Sequence, residues 1–420
     1  MHERSILSNG LRVLTSAMPH TRSVSVGVFV GAGSRYEHDA IAGASHFLEH
    51  MLFKGSPKRP QPQLISGAIE GVGGVINAST DREVTTYWTK TPANHFGLAM
   101  DVLADMVRRP LLPPDEYERE RGVILEELAM TYDQPDAYAD LLIDQTLWPD
   151  QPMGRDIGGT PESVRAMPLA AVAEYHARQY IPANAVVAVA GNVTHEQAVA
   201  EAEALLGDWA GGDPLAPYRV EASAPGARVV IAQKRTNQAH VALALEGVPG
   251  DDPARYAVDI LSTALGDGMT SRLFVELRER QGLVYEIFSC ASHYRDCGAL
   301  SVYFGSDPKK VDDAIGAVLS ELDRLRQGLD AEELRRVVEY STGRMMLRLE
   351  DTRSAMAWLG AQELLHGETR TPEEVAAEVR ALTPDDIRRA AERCLLPNAC
   401  KLAVVGPYRS QARFQRLLAA

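Results

Sequence analysis

The chain has 420 residues, 45% of them hydrophobic, which is enough to bury a sizeable core and to divide into more than one domain. A formal net charge of −14, a pI near 5.3 and the lack of any lysine- or arginine-rich run exclude nucleic acid and an anionic membrane as expected partners. No apolar run reaches transmembrane length, and the four cysteines form neither a dense framework nor a strong metal pattern, so free thiols in a reducing cytoplasm are expected.

The opening "MHERSILSNGLRVLTSAMPH" has no apolar signal core and no Arg/Ser-rich transit pattern; it reads as a polar start followed by a short strand. Next, "DAIAGASHFLEHMLFKGSPKRP" reads as a helix through about Phe53, stopped by Gly55 and Pro57. At roughly 100° per residue, His46 and His50 lie about 40° apart on that helix, with Glu49 about 60° to the other side of His46. Phe47, Leu48, Met51, Leu52 and Phe53 make the surroundings apolar, so this face is expected to be buried. Buried imidazoles beside an unpaired carboxylate are costly, and a bound cation removes the cost. Two imidazole nitrogens bind Zn²⁺ at about 2.0–2.1 Å, while the glutamate can reach the metal's water instead. The order His-x-x-Glu-His reverses the better-known His-Glu-x-x-His and keeps the same side chains on one face. Such a site needs a third protein ligand from another buried helix.

"GGVINASTDREVTTYWTKT" reads as two strands joined by a turn, followed by a helix from about Pro92 to Val107. In "LPPDEYERERGVILEELAMTYD", Pro113, Pro114 and Asp115 predict a helix start, and the helix runs to about Tyr132. Glu120 and Glu127 stand two turns apart on one face, beside the apolar stripe of Tyr117, Ile124 and Leu128. Glu116, Glu118 and Glu126 read as a solvated face.

Residues 207–227 are rich in Gly, Pro and Ala and lack helical periodicity, which marks a linker between residues 1–206 and 228–420. The order of elements repeats across it. "GLVYEIFSCASHYRDCGALSVYFGSD" and the helix "PKKVDDAIGAVLSELDRL" answer the first strand pair and its helix. "LAAVAEYHARQYIPANAVVAVAGNV" and "PDDIRRAAERCLLPNACKLAVVGPY" share the order helix, Pro-Asn turn, apolar strand, glycine. The expected class is α+β: two similar domains, each a mostly antiparallel sheet covered by helices on one side, which facing each other enclose a cavity.

Four stretches in this order, "HFLEHMLFKGS", "NASTDRE", "ERERGVILEEL" and "LRERQGLVY", resemble motifs of the M16 metallopeptidase family (pitrilysin, insulin-degrading enzyme, mitochondrial processing peptidase). The likeness is nearest to its short two-domain type and covers essentially the whole chain. It implies that His46 and His50 are zinc ligands, that Glu49 is the general base, and that Glu127 is the third ligand, with Glu126 the neighbouring alternative. Glu120 resembles the acid that orients a ligand histidine. Asn77 and Ala78 match the edge-strand positions closest to the scissile bond of an added peptide strand. Arg278 and Tyr285 match a pair that reaches the substrate near zinc. The second half carries no copy of the metal site: "RYAVDILSTALGDG" has neither histidine nor glutamate. The resemblance thus implies a zinc-dependent endopeptidase that cuts peptides or unfolded segments in an enclosed chamber. Each chain would form half of a clamshell, two copies pairing as a homodimer. The alternative it leaves is a non-catalytic or partner-dependent subunit of a larger complex.

Overall fold

The computed structural model describes residues 2–221, 229–396 and 399–419. Residues 222–227 of the expected linker therefore lie outside the described residues. Two compact units result: residues 1–128, 156–218 and 345–371 make the first, and 129–155, 219–344 and 372–420 the second. Each unit draws mainly on one half of the sequence and takes one helical segment from the other half.

The first unit is built on strands β1 (Glu3–Ile6), β2 (Arg12–Ala17), β3 (Ser23–Val30), β4 (Val75–Thr80), β5 (Thr85–Pro92) and β6 (Ala185–Gly191). They form one sheet in the order β1-β2-β6-β3-β5-β4, antiparallel except for the parallel pair β2/β6. β6 (AVVAVAG) is a continuous apolar run, and β3 (SVSVGVFV) alternates valine with Ser23, Ser25, Gly27 and Phe29, yet both strands are buried along almost their whole length, as strands covered on both faces are. Such strands demand cover on two sides. One face, with Leu14, Phe29, Trp88, Val186 and Ala188, packs against Ala355, Met356 and Leu359 of the helix Thr352–His366. The alternate residues Val26, Val28, Val187 and Val189 are buried as well.

Two glycines set how closely that helix approaches. A Cβ on Gly27 of β3 would stand 2.3 Å from the Met356 sulfur, and one on Gly360 would stand 2.1 Å from the Phe29 ring. The first unit also holds α1 (Ala44–Leu52), α2 (Pro62–Glu70), α3 (Phe96–Arg108) and, as far as Leu128, α4 (Pro114–Asp133). α3 packs on β3 and β5, and α1 and α2 pack against β4. The sheet thus has helices on both faces, where cover on one side was expected.

The second unit repeats the plan with β7 (Val229–Gln233), β8 (Ala239–Glu246), β9 (Val284–His293), β10 (Gly298–Ser306) and β11 (Lys401–Gly406). Their order, β7-β11-β8-β10-β9, matches β2-β6-β3-β5-β4 strand for strand, including one parallel pair, β7/β11. Helix α5 (Pro135–Leu147) lies on this sheet, with Ala139, Leu142 and Ile143 against Ala242, Ala244, Ala403 and Val405. The alanines play the part of the glycines in the first unit, leaving room for a close helix. The internal repeat read from the sequence is therefore a repeat of topology.

Candidate metal centre

α1 begins at Gly43, whose φ of 96° is left-handed, and a Cβ there would stand 2.4 Å from the Gly158 carbonyl oxygen. Only glycine meets both demands. The first turn has no side-chain cap of its own; instead the buried Glu37 carboxylate accepts from the Gly43 and Ser45 N–H groups, at 2.7 Å each. A negative charge at this end also complements the helix dipole. Ser45 is tied further, its hydroxyl 2.9 Å from that of Tyr175. The helix that carries His46, Glu49 and His50 is thus fixed at its start.

α4 is held alongside by a stack. The Phe47 and Tyr117 rings lie 4.2 Å apart and nearly parallel, with the Arg121 guanidinium 4.9 Å over Tyr117, and the Tyr117 hydroxyl donates to the Met167 carbonyl. This contact fixes the register of α4 against α1. One turn beyond Tyr117 comes Glu120, and two turns further Glu127, both turned toward the histidines. Glu127 Oε2 stands 3.7 Å from His46 Nε2 and 3.4 Å from His50 Nε2. One ligand atom from each of the three lies within 4.8 Å of the others. Ligands at about 2.0–2.1 Å on a tetrahedron sit roughly 3.3 Å apart, so the trio fits a small tetrahedral ion. Glu126, about 100° round α4 from Glu127, is exposed.

His50 Nδ1–H donates to Glu120 Oε2 at 2.9 Å, which leaves the Nε2 lone pair for the centre. Lys54, four residues after His50 in the turn that follows α1, holds the other Glu120 oxygen at 2.6 Å. Burial pushes the Glu120 carboxyl up, but the Lys54 and His50 hydrogen bonds outweigh it and leave it below the usual range. Burial, with the neighbouring His50, lowers His46 to about 4. It is a neutral imidazole near pH 7, the form that binds metal. Its Nδ1 is buried with no partner, in van der Waals distance of a Cβ placed on Gly158.

Glu49 points to β4. Its Oε2 accepts from the Thr80 hydroxyl at 2.5 Å. Burial raises its pKa, the Thr80 hydrogen bond opposing. Asn77 and Ala78 lie on β4, the end strand of its sheet; Asn77 is exposed, and its side-chain oxygen accepts from the Ala78 N–H. Arg278 and Tyr285 belong to the second unit, where the Arg278 guanidinium lies 5.7 Å from the Tyr285 ring centre and 4.7 Å from that of Phe274. Tyr285 is 74% exposed. Three contributors escaped the sequence reading: Glu37, Lys54 and Thr80. Of these, Lys54 alone left a signal, a cation four residues after His50 and just past the end of α1.

A sequence model described as insulinase (peptidase family M16) matches residues 12–161, and one described as the peptidase M16 inactive domain matches residues 166–340. An uncharacterized zinc protease of Streptomyces coelicolor is 39% identical over 97% of this chain and 90% of its own length. The uncharacterized zinc protease YmxG of Bacillus subtilis is 32% identical over 97% of this chain and 98% of its own. Among solved structures, a protease from Helicobacter pylori superposes with a TM-score of 0.90 at 24% identity, covering 97% of this chain and 99% of the other. A chain of complex III2 from Candida albicans gives a TM-score of 0.85 at 20% identity, covering 99% of both.

Proposed function

Because the chain belongs to the M16 peptidase family, we propose that it is a zinc-dependent endopeptidase acting on peptides or unfolded polypeptide segments. The observation that supports this reading most is the meeting of His46, His50 and Glu127 in a tetrahedral spacing, with Glu49 beside them. His46, His50 and Glu127 would hold the zinc, and Glu120 would keep His50 turned toward it. When bound, zinc supplies a Lewis acid and a water acidic enough, with a pKa of about 7, to lose its proton near neutrality.

Glu49 is the base in this reading. One of its oxygens is engaged by Thr80; the other takes the proton from the attacking water and returns it to the leaving amine nitrogen. The free edge of β4 receives the peptide as an added strand through backbone hydrogen bonds, with Asn77 and Ala78 nearest the cut. Such pairing demands little of the substrate's sequence. Arg278 and Tyr285 act as substrate contacts, arginine on a carbonyl and tyrosine on the developing oxyanion. Two copies of the chain pair to complete an enclosed chamber, the zinc site of one facing this pair of the other, and the cytoplasm is the place of action. Among the described residues no helix is long and apolar enough to cross a membrane.

The alternative is a peptide-binding subunit without catalysis, and the shared fold with a complex III2 chain gives it standing. The purified chain, assayed alone on a panel of unstructured peptides, separates the two. Cleavage that stops on chelation and returns with Zn²⁺ supports the peptidase. Peptide binding with no cleavage in the zinc-loaded chain supports the subunit.

A further inference from the structure

We propose that Thr80 is a positioning residue for Glu49: its hydroxyl holds one carboxylate oxygen so that the other is presented to the reaction. The inference rests on the peptidase reading for its catalytic meaning, and on geometry for everything else.

Thr80 is the last residue of β4, paired across the hairpin with Thr85 of β5. Its Oγ1 donates to Glu49 Oε2 at 2.5 Å, the short distance of a hydroxyl on a charged acceptor. A glutamate has three rotatable bonds, and the last, which turns the carboxylate, has broad minima. One oxygen gripped from the side removes that freedom. The oxygen left over is then the one available for proton transfer.

The grip works only if both ends are fixed, and one short segment fixes both. Beyond Thr80 the hairpin turn closes with the Asp81 N–H donating to the Val84 carbonyl at 2.9 Å. Arg35 clamps that turn: its backbone N–H donates to the Arg82 carbonyl at 3.0 Å, and its guanidinium to Glu83 at 2.5 Å. Both Arg35 and Glu83 are buried, and the Arg35 Nε–H donates in addition to the Tyr218 carbonyl. Gly33 lets the turn come so near, since a Cβ there would stand 2.2 Å from the Asp81 carbonyl oxygen. Two residues after Arg35, Glu37 caps the helix that bears Glu49. The segment from Gly33 to Gly43 thus braces the donor's strand and the acceptor's helix together. Arrangements held by such surrounding contacts keep the sub-ångström tolerance that proton transfer requires.

Thr80 also lies two residues from Ala78, on the same face of β4. The strand proposed to receive the peptide is therefore linked through one hydroxyl to the base that acts on it. A peptide seated in register on β4 and a correctly turned Glu49 become parts of one structure.

Thr80→Val keeps the shape and the strand preference but removes the hydroxyl; Thr80→Ser keeps the hydroxyl. In the zinc-loaded chain, Thr80→Val is expected to lower kcat about 10–100-fold with KM and zinc content unchanged, and Thr80→Ser to recover most of the loss. Crystal structures of the metal-free wild type and Thr80→Val give a second readout. The Glu49 carboxylate should hold one orientation in the first and be turned or divided between orientations in the second. A Thr80→Val protein with wild-type kcat and an unmoved Glu49 overturns the proposal. So does an equal loss in both variants accompanied by a lowered melting temperature, which marks a merely structural threonine. If the wild type shows no zinc-dependent cleavage, the peptidase reading fails by itself, and the pair of crystal structures still decides whether Thr80 orients Glu49.

Discussion

His50 Nδ1 and Glu120 Oε2 stand 2.9 Å apart, and Lys54 Nζ reaches the other Glu120 oxygen at 2.6 Å. A carboxylate shared in this way is anchored by one partner while it turns the other. Glu120→Leu is therefore expected to weaken zinc binding by about 10–100-fold, measured by titration against a competing chelator. Glu120→Gln should cost less, because its amide oxygen still accepts from Nδ1–H. Equal affinities in all three proteins would mean that Glu120 does not orient His50.

The two adjacent acids on α4 make a sharper contrast. Glu127 sits between the histidine Nε2 atoms, whereas Glu126 is exposed. Glu127→Gln should lose most of the bound zinc per chain, and Glu126→Gln should keep it, as read by metal analysis after dialysis. The opposite pattern would move the third ligand by one residue.

Gly360 allows a test of the packing that completes the first unit. Alanine in place of a helical glycine ordinarily gains about 1 kcal/mol. Here its Cβ would stand 2.1 Å from a Phe29 ring carbon, and overpacking of that kind costs about 1–3 kcal/mol. Gly360→Ala should come out destabilised in urea unfolding, and Phe29→Leu should partly relieve it, since the two sites touch. A stabilised Gly360→Ala would show that the helix can move away from β3 at little cost.

His176 gives a pH dependence whose sign is fixed. Burial lowers its pKa below the ordinary 6.5, despite the Nε2–H that donates to the Val107 carbonyl. The packed neighbour is the Tyr180 ring, stacked at 4.6 Å, which carries no charge near neutrality. The unfolded chain thus binds a proton at His176 more readily than the folded one. Its contribution to stability is complete above the unfolded value of 6.5 and is lost as pH falls toward and through the folded value. Urea unfolding between about pH 7.5 and pH 5 should show a steeper loss in the wild type than in His176→Gln. Parallel curves would count against this assignment.

Much of the site was legible because its residues share helical faces. His46, Glu49 and His50 sit within a stretch of five residues, and the seven-residue interval from Glu120 to Glu127 spans two turns of α4. The topological repeat was legible too, since each half orders its helix and apolar strand alike; the Pro-Asn pair read between them in the second half, residues 397–398, lies outside the described residues. The cover of the sheets was not. α5 and the helix Thr352–His366 each bury an apolar face, but periodicity says that a face is buried and not which sheet buries it. α5, from the first half of the sequence, lies on the sheet of the second unit, and Thr352–His366 lies on the sheet of the first. Thr80 was silent for another reason. A threonine near the end of a strand is ordinary, and its bond to Glu49 spans 31 residues.

The most direct test of the account is the Glu49→Gln protein, assayed for zinc and for cleavage side by side. Glu49 is read as a base and not a ligand, so the variant should bind one zinc per chain and still bind peptide. Its turnover should fall by about 10²–10⁴ or more, the share of general acid–base catalysis with any loss of water orientation added. A Glu49→Gln chain that cleaves peptides at near the wild-type rate would contradict the mechanism outright.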